Sequence, residues 1–388
     1  MTKVDRWLLP DGVDELLPEQ AGKVEALRRK LLDLYDSWGY ELVVPSLLEF
    51  TESLLVGSGS DVDLQTFKLT DQLSGRAMGI RADITPQIAR IDAHSLKRQG
   101  PSRLCYVGSV LHARPVTPMA SRSPIQLGAE LYGDSGLGSD IEVISLMLHT
   151  LTVSGVKQIT LDLGHVGIYR SLVEDAGIGQ AAQNTLFDAL QRKAPDDILA
   201  AVRGATENSA VADALLLLSQ LNGDRRVLEQ ARHQFASAPA GVMSALDELD
   251  AVADAIVARM PDVELYFDLS ELPGYHYHTG VVFAALAPGV GHPVANGGRY
   301  DHIGEAFGRA RPATGFSTNL KALIRFFEQA ERRGAILAPD TNDPDLWRHM
   351  SELRSCGERV ITALPGQPAE DVDRQLVLRE GQWVIESI

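Results

Sequence analysis

Gln126 and Glu130 stand four residues apart in Ile125-Gln-Leu-Gly-Ala-Glu-Leu-Tyr132, a run with strand character. Side chains at that spacing share one face of a strand, with Cα atoms roughly 13 Å apart. An amide and a carboxylate so placed can hold opposite ends of one amino acid, and Gly128 between them opens room over the sheet. Asp83 and Thr85, in Arg81-Ala-Asp-Ile-Thr-Pro86, precede a helix. One of them is suited to capping it, and the carboxylate is equally suited to a ligand ammonium. Glu271-Leu-Pro-Gly-Tyr275-His276-Tyr277-His278-Thr279-Gly280 reads as a strand with two histidines on one face and two tyrosines on the other. No acidic or cysteine partner lies at metal-ligand spacing, so stacking on or hydrogen bonding to a planar ligand is the expected use, and no metal is assigned. Asn296-Gly-Gly-Arg-Tyr300-Asp301 reads as a turn whose paired glycines lack any phosphate-loop spacing. No Gly-x-Ser-x-Gly elbow and no histidine-activated cysteine is recognisable, so these residues describe a polar ligand cleft without naming a reaction.

The elements that would position these groups follow from periodicity. Val24, Leu27, Leu31, Leu32 and Tyr35 recur at helical spacing between Glu19 and Trp38, and Gly39 ends the run. Tyr40 to Pro45 is a short β-rich stretch; Phe67 to Thr70 and Arg76 to Arg81 predict a hairpin. A helix is predicted from Thr85 to Leu96, with Pro86 early enough that its missing N–H costs little. Cys105 to Leu111 and Ile125 to Tyr132 are predicted to pair antiparallel across a proline-bearing loop. Asp140 to Ser154 reads as a helix and Gln158 to Gly164 as a strand. From about 166 to 260 the pattern is nearly continuous helix, a predicted insertion, before strand character returns at Val263 to Leu269 and Tyr275 to Ala285. After about Phe327 a strand, a helix, a second strand and a hairpin around Gly381 form a small appendage.

The chain has 388 residues, 45% hydrophobic and 23% charged, enough for a full core in two or three domains. No apolar run approaches the ~18 residues of a membrane span, and Met-Thr-Lys-Val-Asp-Arg lacks a signal-peptide core, so a cytoplasmic protein without membrane contact is expected. Cys105 and Cys356 are expected as reduced thiols. The formal charge of −16 repels a polyanion at long range, and Lys97-Arg98 and Arg332-Arg333 are isolated pairs. Nucleic acid is not an expected partner.

In order and spacing these segments resemble the catalytic core of histidyl-tRNA synthetase, a class II synthetase, over roughly Leu9 to Leu323. Leu9-Pro-Asp-Gly-Val-Asp-Glu-Leu-Leu-Pro18 is similar to that family's N-terminal signature, Val44-Pro45 to its dimer-forming first motif, and Gly315-Phe-Ser to Leu323 to its third. The resemblance implies an α+β fold: a class II aminoacyl-tRNA synthetase-like antiparallel sheet flanked by helices, spanning 1–325, with the helical insertion at about 166–260 and a small C-terminal α/β domain at 326–388. It implies a histidine site made by Asp83 (aspartate for the family's glutamate), Thr85, Gln126 and Glu130. Tyr275 and His276 fall in one histidine-specific motif and Tyr300 in the other.

The departures point away from synthesis. Where the second motif carries Phe-Arg-x-Glu-Arg-Pro, this chain has Val110-Leu-His-Ala-Arg-Pro115, so Leu111 and Ala113 replace the arginine and glutamate. Ala322 replaces the ATP-binding arginine of the third motif. Pro273 stands where the family carries an activating arginine, leaving Arg114 or Arg122 to meet a carboxylate. Removing one preorganised donor costs ~10²–10³ in rate, so losing three cations removes adenylation. A histidine pocket without that machinery resembles the ATP phosphoribosyltransferase regulatory subunits. That resemblance implies a non-catalytic, cofactor-free subunit in the first step of histidine biosynthesis. Its partners would be a short-form catalytic subunit, histidine as feedback effector, and a second copy of itself in a dimer within a hetero-octamer. The alternative is a synthetase paralogue with residual ATP-dependent activation of an amino acid for a non-tRNA acceptor.

Overall fold

The computed structural model describes residues 7–56, 60–115, 120–206, 209–270, 277–329, 333–366 and 371–388. The chain divides into two compact units, Met1–Glu328 and Gln329–Ile388. The first begins with α1 (Pro18–Ser37), whose Val24, Leu27, Leu31 and Tyr35 fall on one buried face. Gly39, at φ +80°, supplies the left-handed residue that turns the chain out of the helix. β1 (Glu41–Leu42), β2 (Leu48–Phe50), α2 (Thr51–Leu54), α3 (Ser60–Gln65), β3 (Phe67–Thr70), β4 (Ala77–Ile80) and α4 (Thr85–Arg90) follow. β3 and β4 form the expected hairpin, joined by β2 into a three-stranded sheet. The predicted single helix from Thr85 instead widens at Ile91 into a π turn ending at Leu96. That turn carries buried Asp92, both of whose carboxylate oxygens lie 2.9 Å from Arg311 Nη1.

β5 (Ser102–Ser109), β6 (Ile125–Tyr132), α5 (Leu137–Val153) and β7 (Thr160–His165) lead into α6 (Val166–Asp175), α7 (Gln180–Gln191), α8 (Pro195–Ala205), α9 (Ser209–Leu218), β8 (Asn222–Gly223), α10 (Arg226–Gln234) and α11 (Ala240–Arg259). The chain returns through β9 (Glu264–Asp268), β10 (Val281–Leu286), β11 (Ala295–Arg299), a 3₁₀ turn at Ile303–Phe307, β12 (Ala313–Asn319) and α12 (Leu320–Leu323). These strands make a nine-stranded sheet in the order β1-β5-β6-β12-β11-β10-β7-β9-β8. Its pairs are antiparallel except β1 with β5 and β7 with β9. β5 and β6 pair antiparallel, as their short connection requires.

The stretch 166–260 is nearly continuous helix, interrupted by the two-residue β8, which pairs with β9 at the sheet edge. Its α6 and α11 also share the main core, with Tyr169, Leu249, Val252 and Ile256 packed in one cluster with α1, α5 and the inner face of the sheet. Asn296 to Arg299 is a strand interior rather than a turn: a Cβ on Gly297 would strike the Gly315 carbonyl and the Phe283 ring, so the glycine permits close strand approach. The strand expected from Tyr275 begins only at Val281; Tyr277 lies in a turn, and Tyr275 and His276 fall outside the described residues.

The second unit joins β13 (Ala335–Ala338), α13 (Pro344–Ser355), β14 (Val360–Thr362), β15 (Val372–Arg379) and β16 (Gln382–Ser387) in a sheet ordered β14-β13-β15-β16. Leu346 and Met350 of α13 pack on Ile336, Val360 and Leu376. The β15–β16 turn places Glu380 and Gly381 at φ 45° and 81°, the positive-φ pair that a tight hairpin needs. Among the described residues no helix is long and apolar enough to cross a membrane. Cys105 is buried, Cys356 is exposed, and both are free.

Candidate functional site

Strand register decides which side chains meet. Leu104, Glu130, Gly315, Gly298 and Val282 are successive partners across β5, β6, β12, β11 and β10. Two residues along, Tyr106, Gly128, Ser317, Asn296 and Ala284 form the next row on the same face. The row between them, with Cys105, Ala129, Phe316 and Phe283, turns into the main core. The outer face is thus polar and glycine-rich, and above it lies a cleft.

Glu130 is the centre of the cleft and is only 1% exposed. Its Oε1 accepts from Tyr106 OH at 3.1 Å and Thr85 Oγ1 at 3.2 Å, and its Oε2 accepts from Tyr300 OH. All three partners are hydroxyls. Burial, reinforced by the nearby Asp83 charge and only partly offset by these hydrogen bonds, pushes the Glu130 carboxyl up to about 8. Burial and the same Glu130 charge hold the Tyr106 and Tyr300 phenols well above their ordinary value. A Cβ on Gly315 would overlap Glu130 Oε2, so the glycine is what lets the carboxylate lie across the neighbouring strand. Gly315→Ala is therefore expected to cost about 1–3 kcal/mol by overpacking. A chemical melt that leaves stability unchanged would refute this placement.

Asp83 and Thr85 reach the cleft from the β4–α4 connection. Asp83 Oδ1 accepts from Thr85 N at 3.0 Å, so the aspartate serves the helix start as well as facing the cleft. Because Thr85 touches both Asp83 and Glu130, two carboxylates converge on one side of the cavity. Gln126 takes a different part from the one expected. Its Nε2 donates to Asp83 Oδ1 at 2.7 Å and its Oε1 accepts from Ile84 N at 2.8 Å, so its amide is spent in orienting Asp83, and it does not line the cleft. The room expected over Gly128 is also taken. A Cβ there would collide with the Tyr106 hydroxyl, whose ring crosses from the facing strand.

Tyr300 lines the cleft with Tyr277 and His278, rings 4.3 Å apart rather than on opposite faces of a strand. The segment beneath them is tied down by Thr279, whose N donates to Arg299 O at 2.7 Å and whose Oγ1 donates to Asp301 Oδ2 at 2.9 Å. Arg299 is buried and grips Asp140 Oδ2 through Nε at 3.0 Å and Nη2 at 2.7 Å, with further bonds to the carbonyls of Asp134 and Gly136. It anchors the turn that presents Tyr300. Arg114 is exposed and not among the cleft-lining residues, because the chain has left the sheet at that point and Ala113 N bonds to Gln65 O. Arg122 is committed to backbone carbonyls of His112 and Asp11, at 2.9 and 2.8 Å. Arg81 is likewise buried on backbone oxygens of Pro45 and Ser109. None of the cleft-lining residues described is cationic.

Sequence reasoning overlooked Tyr106, Asn296 and Ser317 as site residues. The alternation of Tyr106 with Leu104 was legible, but its position opposite Gly128 depends on the β5–β6 register, which local sequence does not set.

The fold is that of the class II synthetase-like proteins. A histidyl-tRNA synthetase structure from Nostoc sp. PCC 7120 superposes with a TM-score of 0.77 at 16% identity over 98% of this chain and 97% of that one. The histidyl-tRNA synthetase family model matches residues 12–323. A model described as the ATP phosphoribosyltransferase subunit HisZ C-terminal domain matches residues 333–386. Full-length relatives described as ATP phosphoribosyltransferase regulatory subunit include those of Pseudomonas fluorescens Pf-5, 56% identical, and Pseudomonas syringae pv. tomato, 57% identical, each aligned over 99% of both chains. A Bacillus halodurans crystal structure described as an ATP phosphoribosyltransferase regulatory subunit/histidyl-tRNA synthetase superposes with a TM-score of 0.81 at 28% identity over 93% of this chain and 94% of that one. The chain belongs to the ATP phosphoribosyltransferase regulatory subunit family.

Proposed function

We propose that this chain is a non-catalytic subunit that joins a short-form ATP phosphoribosyltransferase catalytic subunit in the first step of histidine biosynthesis, and that its cleft binds free histidine as the feedback effector. One observation carries the reading: two carboxylates and several hydroxyls converge on a cavity whose described lining holds no cation. Such a site suits the ammonium of an amino acid and lacks the positive charge that a nucleotide triphosphate and its developing phosphate charge require. Leu111, Ala113 and Ala322, where the synthetase family carries charged groups, fit the same loss.

In this reading Asp83 and Glu130 receive the ammonium, with Thr85 between them, while Tyr300 and the Tyr275–His276 segment meet the imidazole or carboxylate. Gln126 sets the orientation of Asp83. The subunit works in the cytoplasm without a cofactor, and a dimer within a hetero-octamer is its assembly. Leu42, Val44, Leu47 and Leu48, all exposed beside the edge strand β1, support self-association through that border.

Feedback requires that histidine bind active and inactive assemblies unequally, and a coupling of ~1–3 kcal/mol gives ~5–150-fold inhibition. Co-expression with the short catalytic subunit is expected to yield a complex whose activity histidine lowers within that range. A complex that is active but indifferent to histidine would reduce this chain to a scaffold. ATP–pyrophosphate exchange with the purified chain is expected to stay at background; robust exchange would establish residual amino-acid activation instead.

A further inference from the structure

Glu130 is a buried carboxyl with no counter-ion among the described residues. Thr85 from α4, Tyr106 from β5 and Tyr300 from the end of β11 bond it through hydroxyls. The other charged or titratable groups around it are Asp83 from the β4–α4 connection, Tyr40 before β1, Tyr132 on its own strand, and Tyr277 and His278 from the segment before β10. The buried guanidiniums of Arg311 and Arg299 are committed to Asp92 and Asp140. Burial and a second carboxylate favour its neutral form, and the hydroxyl donors offset this only in part.

We propose that the free protein holds Glu130 as a neutral carboxylic acid, and that docking of an amino-acid ammonium between Glu130 and Asp83 ejects the Glu130 proton to solvent, so that one site reads its effector and the pH together. The balance is simple: the O–H bond of the acid breaks, the proton goes to buffer, and the carboxylate left behind pairs with an ammonium that was already charged. Burial and Asp83 place Glu130 at about 8, so near pH 7 about 0.9 proton is released per site. Near pH 8 about half a proton is released, and the apparent affinity is about fivefold weaker at pH 7 than at pH 8 from this group alone. Histidine inhibition would then tighten as the medium turns alkaline. The inference rests on the reading of the cleft as an amino-acid site.

The test is calorimetry of L-histidine binding to the full-length chain near pH 7, in buffers that differ in ionisation enthalpy, whose slope counts protons. Release near 0.9 proton, diminishing toward pH 8, is expected. Infrared difference spectra are expected to show a protonated-carboxyl band that histidine removes and that Glu130→Gln lacks. Tyr300→Phe, which deletes one bond to the carboxylate, is expected to keep release near a full proton at pH 8, which preserves the test if the glutamine variant fails to fold. Histidine binding without proton release, or an acid band that survives binding, overturns the inference and leaves the amino-acid site standing. Absence of histidine binding throughout pH 7–9 overturns the site reading and the inference with it.

Discussion

Glu130→Gln is expected to abolish histidine binding and, at the same time, to stabilise the free protein in alkaline solution. Truncating the charge of a buried partner costs about 2–5 kcal/mol, a loss of roughly 30-fold to several-thousand-fold in affinity. The stability gain has the opposite sign because the carboxyl sits where ionisation is unfavourable. Its folded value, about 8, lies above the ordinary 4.5, so the folded state keeps a proton that the unfolded state has released. Stability from this group is fully present below about 4.5 and is lost as pH rises toward 8, by an amount of order 5 kcal/mol. Glutamine keeps the shape and hydrogen-bonding capacity without that slope. Urea melts of the two proteins should nearly coincide near pH 5 and diverge near pH 8, with the variant more stable. The same difference at both pH values would mean that Glu130 is ionised throughout.

Arg299→Leu is expected to cost about 3–5 kcal/mol, because it leaves Asp140 buried, 1% exposed, without its counter-ion. The loss has a second component, since Arg299 also holds the carbonyls of Asp134 and Gly136 and the Ser139 hydroxyl, which fix the β6–α5 connection beside β11. Tyr300 follows directly, so histidine affinity should fall even at temperatures where the variant remains folded. Adding Asp140→Leu should recover most of the stability, since replacing both members of a buried pair is far cheaper than orphaning one. Denaturant melts of the two single variants and the double variant measure this. A single-variant loss under about 1 kcal/mol would show that water reaches the pair.

Elements with strong local patterns were readable. α1, the β3–β4 hairpin, the β5–β6 pair and the β15–β16 hairpin follow from helical spacing, alternation and turn residues that act within a few positions. The errors fall where distant contacts override local preference. Asn296-Gly-Gly has the composition of a turn, yet it runs as a central strand because the neighbours on either side approach too closely for a side chain at Gly297. The helix from Thr85 gives way to a π turn that carries Asp92 to Arg311, a partner 219 residues away.

The candidate site divides in the same way. Residue type and chain order marked Asp83, Thr85 and Glu130, since a carboxylate or hydroxyl announces its chemistry wherever it stands, and the resemblance to the synthetase motifs added Tyr300. Spacing also established that Gln126 and Glu130 leave one face of a strand, a property of covalent geometry. Folding alone set Tyr106 over Gly128, turned Gln126 from a ligand contact into a support for Asp83, and left Arg114 outside the cleft. It also removed Glu130 from water and, among the described residues, gave it hydroxyls rather than cations as partners, and the burial pushes its carboxyl up. Burial and partner identity are sums over residues remote in sequence, and strand register and chain packing decide them.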